Sequence, residues 1–143
     1  AGGLGKAIAI GMAREGAHLV ICNDYEYEII REKTGMDASA MLGHAEAVVV
    51  TKGEKGASIH LRNGVIDVPA VTPQAIADPT GVGDAFRGGF MKGMALGAGY
   101  EVCGRLGSVA AAYALEHLGG SSHRYTWAEF TARYEAHFGP FGR

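Results

Sequence analysis

The sequence predicts an α/β layered fold, and three observations carry that prediction. Two short, continuous apolar runs, His18-Leu-Val-Ile-Cys22 and Ala47-Val-Val-Val-Thr51, have the composition of strands buried on both faces. Asn63-Gly64 stands between two alternating runs, the preferred pair for a tight hairpin. Stretches with helical apolar spacing fill most of the rest, and strands mixed with helices imply α/β layers.

In chain order, residues 1–17 read as a helix packed beside the sheet, with Ile8 and Met12 inward. After the first strand Asn23-Asp24 punctuates the chain, and Tyr25 to Thr34 reads as a helix that ends at Gly35. Asp37 is placed to cap a second, short helix through His44. Thr51 to Gly56 is a turn after the second strand. In the hairpin, a two-residue type I′ loop pairs Arg62 with Val65, Leu61 with Ile66 and Ile59 with Val68. Ile59, Leu61, Ile66 and Val68 then share one face, with His60 and Asp67 on the other.

Three helices follow: from Gly83-Asp84 to about Gly97, from Glu101 to His117, and from Thr126 to near Phe138. Thr126 and Glu129 have the spacing of a capping box. Trp127, Phe130 and Tyr134 lie at helical spacing and read as core, and His117 and His123 as helix-end or surface residues. The chain holds 23 glycines, several of them inside helical patterns (Gly88, Gly89, Gly93, Gly97, Gly104, Gly107). Each costs about 1 kcal/mol relative to alanine there, a cost that close packing of helices on a sheet would explain.

A chain of 143 residues, 48% apolar and 20% charged with a formal net charge of −2, reads as one soluble domain. No basic run suggests nucleic acid, and no apolar run approaches the roughly 18 residues of a membrane span. Cys22 and Cys103 lie in apolar stretches without metal-site spacing, as reduced, buried thiols of a cytoplasmic protein would. There is no initiator Met, signal peptide or cleavage pattern, and the chain reads as a piece of something longer.

Three polar or glycine-rich motifs lie just past strands or at a helix start, where α/β sheets bind ligands. Asn23-Asp-Tyr-Glu26 can be a helix cap. Thr51-x-Gly-x-x-Gly56 can be a flexible turn, or a hydroxyl and backbone that hold a nucleotide phosphate. Asp78-Pro-Thr-Gly-Val-Gly-Asp84 is the most specific. Gly81 and Gly83 let the backbone fold into an anion-binding nest ahead of a helix, with the helix dipole behind it. Asp84 at its mouth is either the helix N-cap or a base that takes a proton from a substrate hydroxyl while the nest holds a phosphate.

Asp78 to Asp84 resembles the second signature of the ribokinase-like (PfkB) family of sugar and nucleoside kinases, close to D-T-x-G-A-G-D. Asn23-x-x-Glu26 resembles that family's N-x-x-E motif, and Thr51 to Gly56 its T-x-G-x-x-G nucleotide turn, in the family's order. Val82 stands where the family usually has alanine. The resemblance runs from about Gly16 to Gly139, and within the family Asn23-Asp-Tyr-Glu26 and Asp78-Pro-Thr-Gly-x-Gly-Asp-Ala-Phe-Arg87 look most similar to the bacterial adenosine-kinase-like branch. It implies the C-terminal portion of a three-layer α/β/α fold with a mostly parallel sheet and a β-hairpin. The 143 residues would then form a single partial domain, with 18–139 as the ribokinase-like part and 1–17 atypical.

The resemblance also implies roles. Asp84 would be the catalytic base, and Gly81, Val82 and Gly83 the anion hole for the transferred phosphoryl group. Thr51, Gly53, Gly56 and Asn23 would line the ATP site. Asn23 and Glu26 would organise Mg²⁺ through its waters. Asp78 and Thr80, with Gly119, would sit where many relatives bind a monovalent cation such as K⁺. The reaction implied is ATP-dependent phosphorylation of a sugar or nucleoside. The acceptor pocket would come from an N-terminal half, and that half or a second copy of the chain is the partner expected.

Ala1-Gly-Gly-Leu-Gly-Lys-Ala and the run to Ile21 also resemble the start of a short-chain dehydrogenase, although no Tyr-x-x-x-Lys follows. An NAD(P)-binding fragment of that kind is the competing function, and a non-catalytic nucleotide-binding remnant the third.

Overall fold

The computed structural model describes residues 19–119 and 124–142. The expected placements of Ile8, Met12 and His123 lie outside these residues. The elements run β1 (Leu19–Asn23), α1 (Asp24–Thr34), α2 (Ala38–Met41), β2 (Ala47–Thr51), β3 (Ala57–Leu61), β4 (Gly64–Val68), α3 (Val82–Ala95), α4 (Tyr100–Leu115) and α5 (Trp127–Phe138). They group into two compact units. Among the described residues, one comprises 19–53 with Ala57–Asp67, the other Glu54–Gly56 with 68–119 and 124–142.

In the first unit the sheet order is β1-β2-β3-β4. β1 pairs parallel with β2, from Leu19↔Ala47 to Asn23↔Thr51, and β2 pairs antiparallel with β3, from Val48↔His60 to Thr51↔Ala57. β2 is therefore flanked on both sides, and its first four residues are buried, as its unbroken apolar run requires. Val20, Cys22, Val48 and Val50 form one core with Ile30 of α1 and Ala38, Met41 and Leu42 in and after α2. α1 starts at an Asn23 cap and stops at Gly35, which takes the left-handed φ of 69° that a C-terminal glycine supplies. The Tyr27 hydroxyl accepts the Ala38 N–H at 2.9 Å and ties α1 to α2.

The hairpin differs from expectation. The reversal falls at Arg62-Asn63, so Arg62 is not paired with Val65 in the ladder. A type I′ turn needs positive φ at both central residues. Asn63 does not adopt one, and Gly64 opens β4 with φ 142°. The Arg62 Nε–H donates to the Leu42 carbonyl at 3.1 Å, a contact outside the hairpin. The predicted division of faces survives: Ile59 and Val68 are buried, while Ser58 meets Asp67 on the other side.

In the second unit α3 and α4 pack face to face through glycine. A Cβ on Gly89 would lie 2.5 Å from the Leu106 carbonyl oxygen, and one on Gly93 would lie 2.8 Å from the Cys103 Cα. A Cβ on Gly107 of α4 would meet the Phe86 ring of α3 at 2.8 Å. These glycines serve helix-on-helix contact where helix-on-sheet contact was expected. Gly97 has a separate reason: with φ 72° it closes α3 in a Schellman motif, its N–H bonded to Met94 and that of Ala98 to Gly93. Gly89→Ala is expected to destabilise the chain by about 2 kcal/mol through overpacking against backbone that cannot yield. Gly88→Ala, where a Cβ meets nothing within 4 Å, is expected to stabilise it by about 0.5–1 kcal/mol. Thermal melts of the two variants should move in opposite directions.

α5 lays Phe130 and Tyr134 against Val71, Leu106, Val109 and Ala110. Trp127 is not core. It is 45% exposed, stacks on Phe130 at 5.5 Å, and carries the Lys92 ammonium over its ring. The capping box is formed: Thr126 Oγ1 accepts the Glu129 N–H at 3.1 Å and Glu129 accepts the Thr126 N–H at 2.6 Å. Those bonds hold the Glu129 carboxyl below the usual carboxylate range. Thr126→Ala should cost about 1 kcal/mol as a lost cap, and an unchanged melting curve would count against that role. Cys22 and Cys103 are buried thiols and form no disulfide.

Candidate functional site

The first unit brings two of the three motifs together. Asn23 ends β1, Thr51 ends β2, and the parallel register makes them direct neighbours at the carboxyl ends of adjacent strands. That is where open α/β sheets bind ligands. Asn23 caps α1: its Oδ1 accepts the Glu26 N–H at 2.7 Å, and Glu26 Oε2 accepts the Asn23 N–H at 2.9 Å. This reciprocal bond turns both side chains toward the strand end and fixes them there. Beyond Thr51 the chain enters a 3-10 turn, Gly53–Lys55, with Gly53 at φ 57°. No Cβ contact would crowd Gly53, so its backbone is open to a close-approaching group.

Gly56 stands apart from this open turn. Its φ is 84°, and a Cβ there would lie 2.0 Å from the Val68 carbonyl oxygen and 2.9 Å from the Ala70 nitrogen. Backbone packing within the second unit already explains why this position is glycine.

In the second unit Asp78, Thr80 and Gly119 are brought together. Asp78 Oδ1 accepts the Thr80 N–H at 2.9 Å and the Thr80 hydroxyl at 2.6 Å, and Oδ2 accepts the Gly119 N–H at 3.0 Å. These three donors hold the Asp78 carboxyl below the usual carboxylate range, the Thr80 hydroxyl contributing most. Ala77 and Asp78 also donate backbone N–H groups to the Leu115 carbonyl at the end of α4.

Asp84 does not cap α3. The N-cap is Gly81, at φ 77°, with no side-chain hydrogen bond to the helix start. Asp84 sits in the first turn, its carboxylate largely exposed and 2.9 Å from Arg87 Nη1. The N–H of Ala85 closes the first turn onto Gly81 at 2.9 Å. The four preceding N–H groups, of Gly81, Val82, Gly83 and Asp84, are those an α-helix leaves without an intrahelical acceptor. Val82 N–H leans to the Pro79 carbonyl at 3.4 Å, a weak contact. A side-chain-free N-cap ahead of a 14-residue helix is a seat for an anion, and the carboxylate stands on its flank.

The ion pair between Asp84 and Arg87 was not anticipated, although their i,i+3 spacing on a helix is the signal that would have found it. No group of three or more His, Cys, Asp or Glu side chains suited to a metal ion occurs among the described residues. No helix among them is long and apolar enough to cross a membrane.

Residues 8–126 match the pfkB family of carbohydrate kinases. The chain belongs to this family. As a pfkB-family chain it is 30% identical over 123 residues to the nucleoside kinase of Methanocaldococcus jannaschii, covering 86% of this chain and 41% of that protein. It is 37% identical over 106 residues to the cytidine kinase of Thermococcus kodakarensis, covering 71% and 38%. Among solved structures, the nucleoside kinase of Burkholderia thailandensis in complex with inosine superposes with a TM-score of 0.90 at 35% identity, covering 96% of this chain and 47% of that one. The pfkB-family chain thus spans less than half the length of these relatives, and its fold is ribokinase-like. The match begins at residue 8, inside the segment that resembles a dehydrogenase start, and the relatives named here give that second resemblance no support. They are nucleoside and cytidine kinases, so the adenosine-kinase likeness gives way to the broader nucleoside class.

Proposed function

We propose that this chain supplies the ATP side and the catalytic base of a kinase that phosphorylates a hydroxyl of a nucleoside or a related sugar. The observation that carries the reading is the start of α3: a glycine N-cap with first-turn N–H groups and the Asp84 carboxylate beside them. In this reading the amides of Gly81, Val82 and Gly83 stabilise charge on the transferred phosphoryl group. Asp84 accepts the proton of the acceptor hydroxyl as its oxygen bonds to phosphorus and the bond to the ADP leaving group breaks. Such a transfer asks the protein mainly for positioning and charge stabilisation.

Thr51 and Gly53 would meet the nucleotide phosphates. The donor set suits Mg²⁺ held through waters and phosphate oxygens: Asn23 and Glu26 already spend an oxygen each on the α1 cap, and no three-ligand cage exists among the described residues. When bound, the ion neutralises phosphate charge. Asp78, Thr80 and Gly119 are the positions proposed for a monovalent cation.

Calorimetric titration of the chain with Mg·ATP and, separately, with NAD(H) tests the reading. Heat with ATP alone supports it. Silence toward ATP, or heat with NAD(H) alone, removes it.

A further inference from the structure

We propose that Lys52 and Asp67 position the nucleotide turn, the Lys52 ammonium clamping residues 51–53 onto the β3–β4 hairpin. The inference rests on the reading of Thr51 and Gly53 as ATP-site residues. Thr51 is held by its ladder partners Asn23 and Ala57, but the next residues leave the sheet. Gly53 takes the left-handed conformation with nothing packed where a Cβ would be, so packing on its Cα does not hold this part of the turn.

Lys52 provides a tether. Its side chain runs back across β3, where Nζ donates to Ser58 Oγ at 2.7 Å and stands 3.6 Å from Asp67 Oδ1. Ser58, a residue only 8% exposed, donates its hydroxyl in turn to Asp67 at 2.7 Å. One buried hydroxyl thus links a cation on the turn to an anion on β4, with its donor and an acceptor site both used. A lysine beside a phosphate turn is expected to reach for the phosphates as a point charge. Here the ammonium is aimed at the hairpin and neutralised by Asp67. His60 lies on the same face of β3, its ring stacked on Tyr27 of α1, so the polar side of the hairpin also meets the helix that Asn23 and Glu26 begin.

The two roles open to Lys52 make opposite predictions for Asp67→Asn. If Lys52 binds phosphate, releasing it from Asp67 tightens ATP. If Lys52 is a tether, releasing it loosens the turn and weakens ATP. Partly exposed pairs of this kind contribute little to stability, so the variants fold.

The experiment compares wild type, Lys52→Met, Asp67→Asn and the double variant. Hydrogen–deuterium exchange of amides 51–53 is read first, and Mg·ATP affinity by calorimetry second. Each single variant is expected to speed exchange at 51–53 by about tenfold and to weaken ATP by about fivefold, with the double variant no worse than either single. Lys52→Arg should restore most of both. Unchanged exchange in Asp67→Asn, or tighter ATP binding, overturns the inference. A wild-type chain that gives no heat with ATP removes the ATP-site reading, while the exchange data still decide whether the clamp exists.

Discussion

Asp84→Asn is expected to lower kcat by about 10²–10⁴-fold, the usual contribution of a positioned general base, in a kinase carrying this chain completed to the length of its relatives. The affinity for Mg·ATP should stay within a few-fold of wild type. The substitution is nearly isosteric, and the amide oxygen can still accept the hydrogen bond from Arg87 that the carboxylate accepts at 2.9 Å. What disappears is the charge and the basic lone pair. The backbone groups of Gly81–Gly83 are untouched, so the anion seat persists, and a thousandfold loss corresponds to about 4 kcal/mol of transition-state stabilisation. Steady-state kinetics with a nucleoside acceptor, together with nucleotide titration, separate the two effects. Wild-type turnover would remove Asp84 as the base. A parallel loss of ATP affinity would mean that its carboxylate shapes the nucleotide seat and does not act on the acceptor.

The parts of this arrangement that were legible in the sequence are those decided over a few residues. The Thr126–Glu129 capping box follows from a three-residue spacing and is formed, and a cap at Asn23 was legible too, although not that Glu26 closes it into a second box. The apolar run ending at Thr51 lies in a buried strand, as expected, whereas in the run ending at Cys22 only Val20 and Cys22 are buried and Leu19 and Ile21 are half-buried, so one face of β1 is less covered than its composition suggests. The Gly81–Asp84 stretch was legible as a helix opening, but not which residue caps it: Asp is a good cap, yet glycine at the left-handed position allows the chain to start the helix earlier. What sequence could not supply is pairing across distance. That Asn23 and Thr51 are neighbours depends on the register of two parallel strands. That the Arg62 side chain, at the hairpin reversal, reaches the Leu42 carbonyl is a pairing between residues 20 apart. Gly89 and Gly93 announced a tight contact without saying that the partner was another helix.

The largest stability effect is expected at another such distant pair, Glu116 and Arg133. Glu116 follows the end of α4 and Arg133 lies on α5, and their side chains are only 10% and 12% exposed. The guanidinium engages both carboxylate oxygens, and Glu116 Oε1 also accepts the Gln74 N–H at 2.8 Å. Arg133 lies over the Tyr113 ring, 4.6 Å from its centroid. Glu116→Gln keeps an acceptor for Gln74 but strands a nearly buried guanidinium. Breaking such a pair costs about 3–5 kcal/mol, which lowers the melting temperature by roughly 10 °C for a chain of this size. Adding Arg133→Met removes the stranded charge, so the double variant should recover part of the loss, and the cycle measures the coupling.

The pH dependence of this pair has a definite sign. The Arg133 hydrogen bonds hold the Glu116 carboxyl below its ordinary value. Its contribution is therefore complete above the unfolded carboxylate value of about 4.3 and is lost as pH falls through the lower, folded one. Other depressed carboxyls, among them Asp78 and Glu129, follow the same trend. The test is therefore the gap between wild type and Glu116→Gln, which should narrow as pH falls from about 5 toward 3. A gap that stays constant over that range would mean that the loss in Glu116→Gln comes from packing alone and that the ion pair contributes nothing.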